Sequence, residues 1–242
     1  EPVQADIVVA CDGVHSAVRR QFYPEEKLAF AGINTWRGVT RHKPILTGKS
    51  YLRVGSIKTG KMVIYPIVDN VDAQGHQLIN WMAEIERPGE AMNDWNQGGR
   101  VDDFIGIFQD WTFDWLDVPA LIRNADQVLE YPMVDKDPID RWTFGRVTLM
   151  GDAAHPMYPR GSNGSAQALI DARTLATELA RDPTHHALQA YEALRREATA
   201  RVVATNRSVP PDFINITVDE LSGDRPFRHI DDLISQAELR EI

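Results

Sequence analysis

Two short stretches hold the residues best able to do chemistry. The first is Asp12-Gly13, and the second runs Gly151-Asp152-Ala153-Ala154-His155-Pro156-Met157-Tyr158-Pro159-Arg160-Gly161-Ser162-Asn163-Gly164. In each, an acidic residue stands beside a glycine directly after an apolar run. Glycine lets the backbone take positive φ or come close to a ligand, and a carboxylate accepts hydrogen bonds from the hydroxyls of a ribose or a similar polyol. Asp12-Gly13 by itself is equally an ordinary turn dipeptide. The second stretch is more specific, because its prolines and glycines lead to a helix whose first turn holds only small residues, leaving backbone N–H groups open to an anionic ligand. Plain capping by Ser162 or Asn163, with Pro159 as a rigid turn, is the competing reading. His155 shows no carboxylate partner and no metal-ligand spacing, so it reads as structural or as lining a ligand. Cys11, the single cysteine, reads as a small buried hydrophobe.

These stretches need strands and helices to hold them. Asp6-Ile7-Val8-Val9-Ala10 is a continuous apolar run of the kind found in strands covered on both faces, and Gly145 to Met150 is a second. In an open α/β sheet, ligands bind outside the carboxyl ends of such strands, which is where both Gly/Asp pairs fall. Ser16 to Phe22 predicts a short helix. Between about residues 30 and 85, β-branched and aromatic runs around Trp36-Arg37, Tyr51-Leu52, Ile64-Tyr65 and Trp81-Met82 alternate with Gly-bearing turns and predict an antiparallel sheet. Trp36, Arg37, Tyr65 and Trp81 either line a pocket or fill the core. Pro88 to Arg100 reads as a loop, Val101 to Phe108 and Val118 to Asn124 as helices, Leu129 to Val134 as a strand, and Trp111, Phe113 and Trp115 as an aromatic core cluster. Ala166, Leu169, Ala172, Ala176 and Leu179 recur at helical spacing, and Leu188, Tyr191, Leu194, Ala198 and Val202 do so along a second helix. Past Pro210-Pro211, Ile230, Leu233, Ile234 and Ala237 predict a terminal amphipathic helix.

Composition narrows the field. With 26 basic against 35 acidic residues the chain carries a formal charge of −9, and no basic cluster tracks a nucleic-acid backbone. No apolar stretch reaches the roughly 20 residues that span a bilayer, and no signal-peptide pattern opens the sequence, so a cytoplasmic protein with no membrane or nucleic-acid partner is expected.

Taken with Pro159, Gly161, Asn163, Gly164 and Asp171, the Gly151-Asp152-Ala153-Ala154-His155-Pro156 stretch resembles the second FAD motif of the group A flavin-dependent aromatic hydroxylases, the p-hydroxybenzoate and salicylate hydroxylase family. Asp6 to Arg20, with Asp12-Gly13, His15-Ser16 and Arg19, resembles that family's signature linked to both FAD and NAD(P)H. Trp36 to Val39, Tyr131 to Asp135 and the tail are similar to its phenazine-modifying branch. The resemblance implies an α/β (α+β) fold: a partial FAD-binding sheet-and-helix domain from residues 1–28 and 136–208, an inserted antiparallel substrate-binding sheet over 29–135, and a tail with a terminal helix over 209–242. It implies an NAD(P)H-using monooxygenase that hydroxylates a small aromatic or heteroaromatic substrate with O2 through a flavin C4a-hydroperoxide, with no catalytic side-chain nucleophile and no metal. Gly151, Asp152, Asp12, Gly13, Arg19, Pro159, Gly161, Ser162, Asn163 and Gly164 would contact the cofactor, and Trp36, Arg37, Tyr65 and Trp81 the substrate. The family's opening Gly-x-Gly-x-x-Gly turn has no match here, so a further N-terminal segment is an expected partner. Two alternatives stand beside this reading: an aromatic-ligand-binding fragment that does not hold FAD by itself, and a related flavin epoxidase. A halogenase is disfavoured, since its Trp-x-Trp-x-Ile-Pro sequence is absent.

Overall fold

A computed structural model describes residues 3–87, 98–159, 162–208, 213–223 and 225–241. The chain divides into two units, residues 1–31 with 133–210, and residues 32–132 with 211–242.

In the first unit the apolar run before Cys11 forms β1 (Val8–Ala10), followed by α1 (Ala17–Phe22). Its sheet is completed by β9 (Thr143–Phe144) and β10 (Val147–Leu149) in the order β1-β10-β9. β1 and β10 run parallel, with Val8 opposite Val147 and Ala10 opposite Leu149. Two long helices, α4 (Gly164–Arg181) and α5 (His186–Ser208), follow. The core gathers Ala10, Trp142, Leu149, Leu175, Leu188 and Tyr191. Fully covered faces were expected for β1, yet Val8 is 43% exposed; β1 is the edge of the described sheet. Cys11 is exposed as well, contrary to the buried reading.

The helices correct the periodicity argument. On α4 the buried positions are Asp171 and Leu175, while Ala166, Ala172 and Ala176 are exposed and Leu169 is 72% exposed. On α5 the buried line runs through Leu188, Tyr191, Arg195, Thr199 and Val203, and Leu194 is 58% exposed. The physical reason is one ion pair: Arg195 Nε donates to Asp171 Oδ1 at 2.7 Å, so charged residues occupy the buried position on each helix. A count of apolar residues therefore selects the neighbouring face.

The second unit is built on a five-stranded sheet ordered β3-β4-β5-β2-β8, from β2 (Ala29–His42), β3 (Leu52–Ser56), β4 (Gly60–Val68), β5 (Gln77–Glu86) and β8 (Val128–Asp135). The pairs β2–β5, β4–β5 and β3–β4 are antiparallel, as the alternating runs predict. Ile79, Trp81, Ala83 and Ile85 point to one face and pack with Trp36, Met62, Ile64, Phe104 and Phe108. Phe104 and Phe108 come from a 3-10 turn at Val101–Asp103 and the short α2 (Ile105–Phe108). Gly38 pairs with Trp81 across the strands, and a Cβ at Gly38 would collide with the Trp81 indole, so the register requires glycine there. A hairpin of β6 (Thr112–Phe113) and β7 (Leu116–Asp117) precedes α3 (Val118–Arg123), whose N-terminus Asp117 caps through the Ala120 amide. Of the expected aromatic cluster only Trp111 packs on the core; Phe113 and Trp115 stack on each other, 5.2 Å apart, and remain exposed. The tail departs from a single amphipathic helix: α6 (Phe213–Ser222), a 3-10 turn at Ile230–Asp232 and α7 (Gln236–Glu241) follow in turn.

Candidate functional site

The parallel pairing of β1 with β10 brings the two Gly/Asp turns out side by side. Met150 N–H donates to Ala10 O at 2.9 Å, so the strands leave the sheet together. After β10 the backbone turns at Gly151, φ +61°, into a 3-10 turn over Gly151–Ala153. Asp152 stands exposed on that turn, while Ala153, Ala154 and His155 are buried beneath it. A side chain in this position can accept hydrogen bonds from a ligand without leaving the fold.

Asp171 holds the turn from below. Its Oδ2 accepts from Gly151 N–H at 3.2 Å and faces His155 Nε2 at 2.5 Å, while its Oδ1 takes Arg195. Arg195 also donates to Gln167 Oε1 at 2.5 Å. Burial works to raise the Asp171 pKa, but the His155 ring, the Arg195 guanidinium and the Gly151 amide together hold this carboxyl below its usual range. The missing carboxylate partner of His155 is thus Asp171, sixteen residues on and one helix away. Spacing within the motif does not show it, although the resemblance includes Asp171 in the stretch. His155 Nδ1 is buried with no hydrogen-bond partner among the described residues.

The loop then reaches α4. Pro159 is exposed, Ser162 takes positive φ at 55°, and Asn163 occupies the N-cap position with no side-chain hydrogen bond to the first turn. Of the two capping candidates, Ser162 and Asn163, the Asn163 side chain makes no cap hydrogen bond among the described residues, and the eighteen-residue helix begins with the small residues Gly164 and Ser165. Gly161 lies outside the described residues.

Asp12 and Arg19 both make hydrogen bonds within the protein. Asp12 Oδ2 accepts from the Ala17 and Val18 amides at 2.8 and 3.3 Å, beside Gly13 at φ +79°. Slight burial opposes it, but bonds from Ser16 and from these amides hold the Asp12 carboxyl below its usual range. The Cys11 thiol is pushed up, by partial burial and then by the nearby Asp12 and Asp171 carboxylates, so it is no activated nucleophile. Arg19, expected to contact the cofactor, is turned inward. It is fully buried, and Nε and Nη2 grip Glu26 at 2.7 and 2.5 Å, Nη1 reaches Ala153 O at 3.2 Å and Ala154 O at 2.8 Å, and Nη2 also reaches Asp137 O at 3.1 Å. A guanidinium has five N–H donors, and all are committed within the protein.

The four pocket candidates separate by strand parity. Trp36 and Trp81 have no exposed surface and lie in the core of the second unit, Trp36 stacked on Phe104 at 4.8 Å and Trp81 donating to Thr40 Oγ1 at 3.0 Å; neither presents a face to a ligand. Arg37 and Tyr65 occupy the opposite face, exposed and half-buried respectively, opposite Met82 and Asn80 in register. Asn80 was not anticipated there. Its Oδ1 accepts from Arg37 Nε at 2.7 Å, and its Nδ2 is buried with no partner among the described residues. The Lys61–Glu84 pair, 2.8 Å apart, shares this polar face. Alternation along β5 is the one sequence signal that groups Asn80 with Arg37 rather than with Trp81. Among the described residues, no group of three His, Cys, Asp or Glu side chains could hold a metal ion, and no helix is long and apolar enough to cross a membrane.

A helix terminus of small residues after a glycine turn, with an exposed carboxylate on the turn that follows a parallel strand, can offer amide donors and a carboxylate acceptor to a ligand. The sequence profile of the FAD binding domain family matches residues 123–206. Over those residues the chain is similar to an FAD binding domain, and over most of its length it is similar to curated hydroxylases and monooxygenases. It is 42% identical over 209 residues to phenazine 1,6-dicarboxylic acid hydroxylase PhzS of Lysobacter antibioticus, covering 84% of this chain and 51% of that protein. It is 32% identical to 3-amino-4-hydroxybenzoate 2-monooxygenase PtmB3 of Streptomyces platensis, covering 87% and 52%. The chain thus spans about half the length of these curated relatives. Among solved structures, HpxO of Klebsiella pneumoniae complexed with FAD and uric acid shares the fold at TM-score 0.66 and 24% identity, covering 85% of this chain and 51% of that one. A salicylate hydroxylase substrate complex does so at 0.64 and 22%, covering 98% and 64%.

Proposed function

We propose that this chain contributes the flavin-facing turns and the substrate-binding sheet of an FAD-dependent, NAD(P)H-using monooxygenase acting with O2 on a small aromatic or heteroaromatic compound. The observation that carries the reading is the pair of Gly/Asp turns leaving β1 and β10 together, followed by the small-residue N-terminus of α4. When bound, FAD would supply the redox and oxygen-activating chemistry, and the residues here bind, orient and shield. Asp152 would accept a hydrogen bond from the ribityl chain. The Gly164 and Ser165 amides, at the positive end of α4, would favour negative charge on the pyrimidine side of the ring system. Asp12 would shape the neighbouring turn. Arg37 and Tyr65, with Asn80 between them, would meet the substrate on the polar face of the sheet. The assignment of residues 1–28 and 136–208 to the cofactor and 29–135 to the substrate follows from the same reading, and the names of the phenazine dicarboxylate and aminohydroxybenzoate relatives support an aromatic substrate.

The test is direct. The protein, alone and joined to whatever its gene encodes upstream, is incubated with FAD and passed over a desalting column. Retained yellow flavin that D152A loses, with NAD(P)H oxidation stimulated by an aromatic acid, supports the reading; a colourless protein in both forms overturns it.

A further inference from the structure

The polar face of the second unit's sheet holds a buried amide and a guanidinium whose donors are only partly used. Asn80 lies on β5, the central strand, with no exposed surface. A guanidinium can only donate, so Arg37 Nε, 2.7 Å away, fixes Oδ1 as the atom turned toward it and leaves Nδ2 turned away. Nδ2 then has no partner among the described residues, a standing cost that an acceptor on a ligand would remove. Arg37 is exposed, and its Nη1 and Nη2 N–H groups make no hydrogen bond or ion pair among the described residues. Register places Val39 and Tyr65 beside Asn80, and Arg37 and Val63 beside Met82. The carboxylate in the next row, Glu84, is already matched by Lys61 at 2.8 Å, both side chains being buried. Donors without acceptors thus border a floor of Met82, Val63 and Tyr65.

We infer that this face recognises a carboxylate on a flat, apolar ligand: the Nη donors of Arg37 take its two oxygens, and Asn80, which aims Arg37 through Oδ1, supplies a further N–H through Nδ2. A planar guanidinium matches a carboxylate through two parallel bonds, and a neutral amide beside it adds a donor without a second charge to desolvate. Met82, Val63 and the Tyr65 ring offer the surface for the ring that bears the acid. Asn80 is thus a specificity-determining residue, separating an acid from its uncharged amide of the same shape. That this acid is the compound hydroxylated rests on the proposed function. The recognition itself rests on residues of one sheet, so its test runs without flavin.

Binding of 2-naphthoate and of 2-naphthamide, alike in shape and different in charge, is measured by isothermal titration calorimetry on the flavin-free protein, on R37Q and on N80L. The parent is expected to favour the acid roughly 10- to 150-fold, the worth of a charge-assisted hydrogen bond. R37Q should lower the affinity for naphthoate to that for naphthamide and leave naphthamide where it was. N80L removes the unmatched amide at similar volume, so Tm should hold or rise while the preference for the acid falls about tenfold. R37K, which keeps the charge without the fork, should retain only part of the preference. Equal binding of acid and amide by the parent, no binding of either, R37Q weakening both ligands alike, or N80L lowering Tm while keeping the preference would each overturn the inference. A protein that prefers the acid but never retains FAD sinks the proposed function and leaves this recognition standing; one that retains FAD but binds acid and amide alike does the reverse.

Discussion

Asp171→Ala is the most revealing single change. Asp171 has no exposed surface and binds the Gly151 amide, the His155 ring and Arg195, itself 8% exposed. Removing the carboxylate leaves the Arg195 charge buried without its counterion and Gly151 N–H without an acceptor. Breaking a buried pair by deleting one partner costs about 3–5 kcal/mol. For a chain of this size each kcal/mol moves Tm by roughly 2–4 °C, so a fall of about 6–20 °C is expected by differential scanning calorimetry. Acid unfolding gives the sign independently. The folded pKa of Asp171 lies below its unfolded value of about 3.9, so its stabilisation is full above that pH and disappears as pH falls through the folded pKa; the variant should lose part of the acid-induced decline of the parent. Replacing both charges, as Asp171→Leu with Arg195→Met, should recover much of the loss, because an apolar pair of similar volume needs no desolvation. A Tm within about 2 °C of the parent for Asp171→Ala, or a double variant that loses the sum of two single variants, would refute this account.

Other predictions follow from the same geometry. Asp152→Ala should weaken FAD retention roughly 10- to 150-fold, the worth of a charge-assisted hydrogen bond, with little change in Tm because the side chain is exposed; equilibrium dialysis against FAD measures it. Leu175→Ala should cost about 2–5 kcal/mol in urea unfolding, whereas Leu169→Ala on the same helix should change stability by under about 0.5 kcal/mol, and a reversed order would contradict the observed face of α4. Gly38→Ala should destabilise by about 1–3 kcal/mol, since the new methyl meets the Trp81 ring, and tryptophan fluorescence will report the displaced indole.

Much of the local structure is written in local chemistry. The alternating runs predicted the antiparallel sheet because a two-residue period leaves the strand little choice of face, and the Asp-Gly and Gly-Asp pairs marked the ends of β1 and β10 because few other residues tolerate those turns. The same period shows that Trp36 and Arg37 face opposite ways, while saying nothing of which side is core. Phe104 and Phe108, more than twenty residues beyond Trp81, decide that.

The two motifs, the helix that follows the second, the strand and helix types and the family resemblance are legible in the chain, since each depends on neighbours within a few residues. Contacts between elements set the inward turn of Arg19 with every donor committed, the pairing of His155 with Asp171, and the charged pair buried between α4 and α5 beside Leu175, Leu188 and Tyr191. Those contacts join groups from 7 to 135 residues apart in sequence, most of them on different elements. No periodicity encodes them, because a buried charge is stable only where a specific partner arrives from another element, and that partner is known only once the chain has folded.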